Sequence, residues 1–581
     1  MMMLKYFLVP MIISSSCLNL FSQPQLKFKE NQSLTWEETL EYYQYLDAKY
    51  PEALLMEAGL TDVGKPLHLF LISENEYFTP ELIRENNKTI LLINNGIHAG
   101  EPCGIDASIL FAEEILSHQN KYQEILDNVV IGIVPVLNVG GALNRGKYHR
   151  ANQNGPIEHG FRANAKNMDL NRDFINLDTE NVRSLVRLLR IWDPDVFIDT
   201  HTSNGSDYPY TLTLITNQKD RLNQPLSDFL HKEMLPHLYK EMKKGPYEII
   251  PYVQNRDYRN PQNGILSFLD QPRYTIGYAS LFNTIGFTTE AHMLKDFKGR
   301  VLSTYQFIHR VSDFMAKNSE KIALTRNLSH SFLMKKNEFI LEWELDTSKY
   351  EPLIFRGYKM EAGISPLTGQ PSYSFNRESV WEQEIPNYTS YKPVKKVIAP
   401  DFYIIPQAWS EVIERLNINK VEYTTLIRDT SIFVEYYYIE DYKTYNNPYN
   451  GHYKHYDINV RPERGLMKFY RGDLLIPVNQ DAREYLVQTL EPEGADSFFS
   501  WNFFDEILSR KEYFSPYIFE AKAMEILASD KELQKTFTTK KEQDPDFASD
   551  HYAQLKFIYE RSPFAEKTYR RYPIARLFID N

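Results

Sequence analysis

Two short stretches put metal-binding side chains where α/β sheets carry their chemistry. Gly96-Ile97-His98-Ala99-Gly100-Glu101 follows directly on the apolar run Thr89–Ile93. Asp195-Val196-Phe197-Ile198-Asp199-Thr200-His201 runs apolar and stops at a second histidine, with Gly205 soon after. In open α/β sheets, sites collect at the carboxyl ends of strands. A His and a Glu separated by two residues on a tight turn can face one cation. Imidazole nitrogen and carboxylate oxygen suit Zn²⁺, whose catalytic sites commonly take three protein ligands and a water. Each piece taken alone also reads as a loop histidine, a solvated acid or a turn histidine. Two strand ends of one sheet can nevertheless bring their side chains together, completing a His/Glu/His set with one open position.

The elements that must position these residues alternate along the chain. Thr35-Trp36-Glu37-Glu38 matches a capping box, so a helix is expected to about Lys49, ended before Pro51. Residues 66–72 and the continuous apolar runs Thr89–Ile93, Val129–Leu137 and Val196–Ile198 read as strands, the last three buried on both faces. Ile105, Ile109, Ala112 and Leu116 recur at helical spacing. This alternation predicts an α/β fold with a mixed, mostly parallel sheet flanked by helices. Near Leu324 the helical pattern fades. Residues from about 330 to 480 read as short strands and turns rich in Tyr and Pro, densest over 431–456, and helices return after Asp481, including 500–508 and 515–528. The expected division is therefore a segment 23–325 followed by an α+β C-terminal region, 326–581. In that region Tyr436-Tyr437-Tyr438 reads as strand packing ahead of a sugar-stacking platform, and Trp501, Phe503 and Phe504 read as core.

Composition bounds the answer further. At 581 residues the chain exceeds what one hydrophobic core usually fills. With 40 Tyr and 34 Phe it can build large cores, which argues against intrinsic disorder. A net charge of −12 argues against a nucleic-acid surface. The first residues read as an export signal: Lys5 supplies a positive start, residues 7–21 carry no charge, and Ser22 is a small residue before Gln23. That stretch is too short to favour a permanent membrane span. Cleavage after Ser22 is preferred over lipid attachment at Cys17, because the usual aliphatic residue three places before the cysteine is missing. The expected location is periplasmic or extracellular. Removal of the signal leaves Cys103 alone, so stability must come from core packing and any bound metal.

Four motifs in order resemble those of the carboxypeptidase A-like zinc metallopeptidases: the His98–Glu101 turn, Asp169-Leu170-Asn171-Arg172, the strand ending at His201, and Thr288-Thr289-Glu290. The resemblance covers roughly residues 30–315, including the opening helix and the strand 66–72. It implies one Zn²⁺ per chain held by His98, Glu101 and His201. It implies Glu290 as the general base that takes the proton of the activated water and later passes it to the leaving amine. Asn171 and Arg172 would bind a peptide's terminal carboxylate, a role that a guanidinium fork suits. Asp169 would orient a zinc-bound histidine, His98 by expectation. Arg150, in Tyr148-His149-Arg150-Ala151-Asn152, would stabilise the oxyanion, with Arg145 and Arg162 as competitors. The family's mobile tyrosine has no match at the expected spacing; Tyr274 and Tyr278 are the two candidates for substrate contact. The implied activity is hydrolysis of the last peptide bond, on a peptide or other carboxylate-bearing amide. Two alternatives remain: an amidase or deacylase acting on peptidoglycan peptides with the same zinc site, and a non-catalytic binding protein.

Overall fold

The computed structural model describes residues 23–203, 205–257 and 260–579. The expected signal segment, residues 1–22 with Cys17, lies outside the described residues. Among the described residues no helix is long and apolar enough to cross a membrane.

The capping box forms as the sequence predicts. The Thr35 hydroxyl accepts from the Glu38 backbone N–H while Glu38 reaches back to the Thr35 N–H, starting helix α1 (Trp36–Lys49). Eight strands follow: β1 (Ala53–Leu60), β2 (Pro66–Ile72), β3 (Thr89–Asn94), β4 (Val129–Val134), β5 (Val196–Ser203), β6 (Leu212–Thr216), β7 (Ile249–Pro251) and β8 (Ile285–His292). They make one sheet in the order β1-β2-β4-β3-β5-β8-β6-β7. The central pairs β4/β3, β3/β5 and β5/β8 are parallel, while β1/β2, β2/β4 and β8/β6 are antiparallel. The runs β3 and β4 are buried at every residue, as their unbroken apolar character requires.

Side chains on successive strand residues alternate between two cores. Leu91, Ile93, Val196 and Ile198 pack with helices α2 (Cys103–Ser117) and α3 (Phe297–Lys335) on one face. Ile90, Leu92 and Phe197 join a core on the other face that runs on without a break to Phe339, Tyr403, Tyr485 and Trp501 of the C-terminal region. Each fully buried Leu, Ile or Phe side chain contributes about 1.5–3 kcal/mol. That shared core makes the C-terminal region an integral packing partner of the sheet.

Three expectations are corrected. The helix expected to fade near Leu324 continues as α3 to Lys335, because Ile322, Ser329 and Leu333 stay buried and Arg326 forms ion pairs with Asp193 and Asp195. The strands between 330 and 480 are not all short: β9 (Glu351–Ile364) and β10 (Pro371–Tyr388) form one long hairpin, and β11 (Thr430–Thr444) and β12 (His455–Phe469) form another. Residues 500–508 are turns closed by a short 3-10 helix (Asp505–Leu508), with Phe498, Phe499, Trp501 and Phe504 all buried in the shared core. Residues 515–528 do form a helix, Pro516–Ser529. Tyr437 is buried against the shared core and Tyr436 packs edge-on to Tyr438, which is strand packing.

Candidate active site

The carboxyl ends of β3, β5 and β8 converge. After β3 the chain turns through Gly96, whose φ of +65° suits a residue without a Cβ, and delivers His98 and Glu101 to the sheet's edge. Helix α2 then starts so close to β5 that a Cβ on Gly104 would meet the Thr200 hydroxyl at 2.0 Å. That contact ties the turn to the strand carrying His201. Parallel pairing of β5 with β8 sets Glu290 directly beside His201.

His98, Glu101 and His201 are buried, and one ligand atom from each lies within 4.8 Å of the other two. His201 Nδ1 stands 3.1 Å from His98 Nδ1 and 3.2 Å from Glu101 Oε2. The outer nitrogens are both engaged: His98 Nε2–H donates to Asp169 at 2.9 Å and His201 Nε2–H donates to Asp199 at 2.7 Å. With each Nε2 donating to a carboxylate, both Nδ1 atoms present lone pairs to one another. Two facing lone pairs at 3.1 Å repel unless a positive charge lies between them. The donor chemistry therefore fits a divalent cation ligated by two Nδ1 atoms and the Glu101 carboxylate.

The electrostatics point the same way. Burial pushes the Glu101 carboxyl up, but the Arg150 guanidinium and both imidazoles outweigh it and hold the acid well below its usual range. Burial disfavours a charged His201, yet Asp199 and Glu101 raise its pKa well above the ordinary imidazole value. The pocket is built to hold positive charge at that spot. Asp169 is likewise held far below the usual carboxylate range: burial opposes ionisation, and His98, Arg162 and Arg172 overcome it.

These donors open onto a cavity of about 580 Å³. Its lining includes Arg150, Arg162, Asn171, Arg172, Tyr274 and Glu290. Arg150 donates to Glu101 at 2.5 Å and to the Thr202 carbonyl at 3.0 Å. Arg162 grips Asp169 at 2.8 Å and stands 3.4 Å from Glu101, so it shares the cavity with Arg150. Arg145 does not reach it; its guanidinium is spent on the carbonyls of Ser33 and Leu34. The Thr275 N–H donates to Asn171 Oδ1 at 3.0 Å, which fixes the amide orientation and turns Asn171 Nδ2 toward His201 Nε2, 3.4 Å away. The Arg172 guanidinium lies 4.6 Å over the Tyr274 ring, beside that amide. Glu290 is partly buried, and burial pushes its carboxyl up to about 7, with His201 opposing the rise. Tyr278 is elsewhere. It is fully buried, outside the cavity, and its hydroxyl donates to Asn419 Oδ1 at 2.6 Å.

Sequence reading passed over Asp199 and Thr275. Asp199 accepts from His201 Nε2 and from the Thr275 hydroxyl, both at 2.7 Å, and from Asn94 Nδ2 at 2.9 Å. A signal existed: Asp199 stands two residues before His201 on one strand, and residues i and i+2 share a face. Thr275 carried none, since it comes from a separate helical turn, Thr275–Ser280.

The sheet and its buried His/Glu/His donors have the make-up of a zinc site with room for a further ligand. Residues 39–210 match the profile of the zinc carboxypeptidase family, whose cation is Zn²⁺; that span holds all three donors, Arg150 and Asn171–Arg172, and ends before Glu290. Over 441 residues the chain is 20% identical to Carboxypeptidase 2 of Trichophyton rubrum, a match covering 72% of this chain and 74% of that protein. Among solved structures it is similar to a metallo-carboxypeptidase from Burkholderia cenocepacia (15% identity, TM-score 0.37, covering 49% of this chain and 70% of that one). It is also similar to carboxypeptidase A from Helicoverpa armigera (16% identity, TM-score 0.36, covering 52% and 77%).

Proposed function

We propose that the protein is an exported zinc-dependent metallocarboxypeptidase that hydrolyses the C-terminal peptide bond of its substrate, with residues 23–325 as the catalytic segment. The observation that carries this reading is that one cavity holds the His98/Glu101/His201 donors, the Asn171–Arg172 pair and Glu290. Zn²⁺ held by the three donors supplies Lewis acidity and brings the pKa of water toward neutrality. Asn171 Nδ2 and the Arg172 fork receive the substrate's terminal carboxylate, which aligns the last peptide bond with the reacting groups. Glu290 accepts the proton of the attacking water and hands it to the leaving amine. A carboxyl raised by burial to about 7 can perform both transfers at neutral pH. Arg150, held by Glu101 and the Thr202 carbonyl, offers fixed positive charge to the developing oxyanion.

The direct test is Glu290→Gln, which keeps shape and removes the base. Zinc content should be unchanged while kcat falls by about 10²–10⁴, the usual weight of general-base catalysis. A variant that turns over at the wild-type rate removes Glu290 from the mechanism. Export rests on residues 1–22. Mass spectrometry of the secreted protein should find Gln23 at its N-terminus, and a retained leader overturns that part of the reading.

A further inference from the structure

A tight turn of the C-terminal region reaches the cavity wall. Between β11 and β12 the chain reverses at Tyr449-Asn450-Gly451-His452, where the Tyr449 N–H donates to the His452 carbonyl at 2.7 Å and the His452 N–H returns the bond at 3.1 Å. Asn450 and Gly451 have φ of +50° and +89°, the left-handed pair that Asn-Gly adopts most readily. The turn is therefore set locally, and what it presents is specific. Asn450 Oδ1 accepts from the Asp169 N–H at 2.8 Å, and the same Asp169 orients His98 and faces Arg172. Among the described residues Asn450 Nδ2 is buried with no partner of its own. His452 Nε2 stands 2.7 Å from Asp178, at the far end of the segment that carries Asn171 and Arg172.

The second wall is gripped in the same way. Arg273 stacks on Tyr449 at 5.7 Å, forms an ion pair with Asp496 at 3.2 Å, and donates its own backbone N–H to the Asp496 carboxylate at 3.1 Å. The next two residues are Tyr274, under the Arg172 guanidinium, and Thr275, which holds both Asn171 and Asp199. Burial and the neighbouring Tyr274 push the Tyr449 phenol up to about 12, against the pull of the Arg172 and Arg273 cations. Both segments that shape the carboxylate end of the cavity are thus braced from the C-terminal region.

We infer that the Tyr449–His452 turn is a working part of the active site, in which Asn450 is a positioning residue for Asp169 and Tyr449 for the Arg172–Tyr274 wall, so that the C-terminal region sets recognition of a substrate's terminal carboxylate. The inference rests on reading Asn171 and Arg172 as the carboxylate receiver. It explains why the tyrosine-dense stretch 431–456 is where it is: the long hairpin carries one rigid turn to a wall 281 residues away in the chain.

The test uses the full-length, zinc-loaded protein. Asn450→Gly keeps the left-handed turn and deletes the acceptor, while Asn450→Asp keeps both. For Asn450→Gly, zinc affinity by chelator competition should fall about tenfold, as outer-shell losses do. KM for a free-acid peptide should rise by a similar factor while kcat holds within about twofold and the melting temperature stays put. Asn450→Asp should restore zinc affinity to within about threefold. Wild-type zinc affinity and KM in Asn450→Gly overturn the inference, and so does an Asn450→Asp variant as impaired as the glycine one. Should Asn450→Gly fail to fold, Tyr449→Phe carries the test: KM for the acid should rise about threefold at unchanged zinc affinity, and an unchanged KM refutes it. A wild-type enzyme that cleaves acid and amide peptides alike defeats the carboxypeptidase reading instead, and the zinc arm still judges Asn450.

Discussion

Asp199→Asn removes a single charge from the interior and keeps the side chain's shape. Asp199 is fully buried and accepts three hydrogen bonds, from His201 Nε2, the Thr275 hydroxyl and Asn94 Nδ2. An asparagine offers one oxygen with two lone pairs, so it satisfies at most two of those donors. Its own amide nitrogen then faces a third donor. One orphaned buried donor costs about 1–3 kcal/mol, and the opposed amide adds a similar amount. The folded protein should therefore lose about 2–6 kcal/mol. The metal site should suffer separately. His201 loses the anion that fixes its Nε2–H tautomer and keeps Nδ1 as the lone-pair donor, and such losses weaken metal affinity by about 10–100-fold. Chelator competition on the purified variant reads the affinity, and calorimetry with and without zinc reads the stability. Zinc affinity within twofold of wild type, together with an unshifted melting transition, would refute the assignment of Asp199 as the partner that orients His201.

Arg172→Lys keeps the charge and loses the planar fork. KM for a free-acid peptide should rise by roughly tenfold or more, and the preference over the matching amide should shrink, because a point charge replaces a bidentate contact; steady-state kinetics on the two peptides decides it. The histidine ending β8 predicts a pH effect. His292 is fully buried and stacks on Tyr208 at 4.2 Å; Asp207 is 3.7 Å away and already paired with Arg377. Burial, with Lys295 and Arg377 near, depresses its pKa to about 3. The unfolded chain protonates first, near pH 6.5, so the stability from a neutral His292 is present above that value and is lost as pH falls toward 3. Between pH 7.5 and pH 5 the loss should be about 2 kcal/mol in equilibrium unfolding, and His292→Phe should flatten that slope. An equal slope in the variant would show that other groups carry it.

Much of the site could be read before any coordinates. His98 and Glu101 follow a run apolar enough for a doubly buried strand, and His201 lies near the carboxyl end of β5, so the strands and the location of the site could be read together. The Thr35 capping box forms because its hydrogen bonds are local and need no tertiary partner. The turn at Asn450-Gly451 is local too, yet its meaning is not. Nothing near it in sequence says that its acceptor will meet the Asp169 N–H. The same holds for Thr275 with Asp199, and for Tyr278, whose place upstream of the candidate base in sequence hides a hydroxyl committed to Asn419 in the core.

The residue types and their order along the chain thus determine a metal-binding α/β sheet with His98, Glu101 and His201 at its strand ends. Only the tertiary structure decides that Asp199 holds His201, that Arg150 and Arg162 but not Arg145 face the cavity, and that a hairpin from the C-terminal region braces the wall. The reason is range. Periodicity and capping record interactions within a few residues, whereas a buried donor takes whichever acceptor the packed core brings to 3 Å, however far away it lies in the chain.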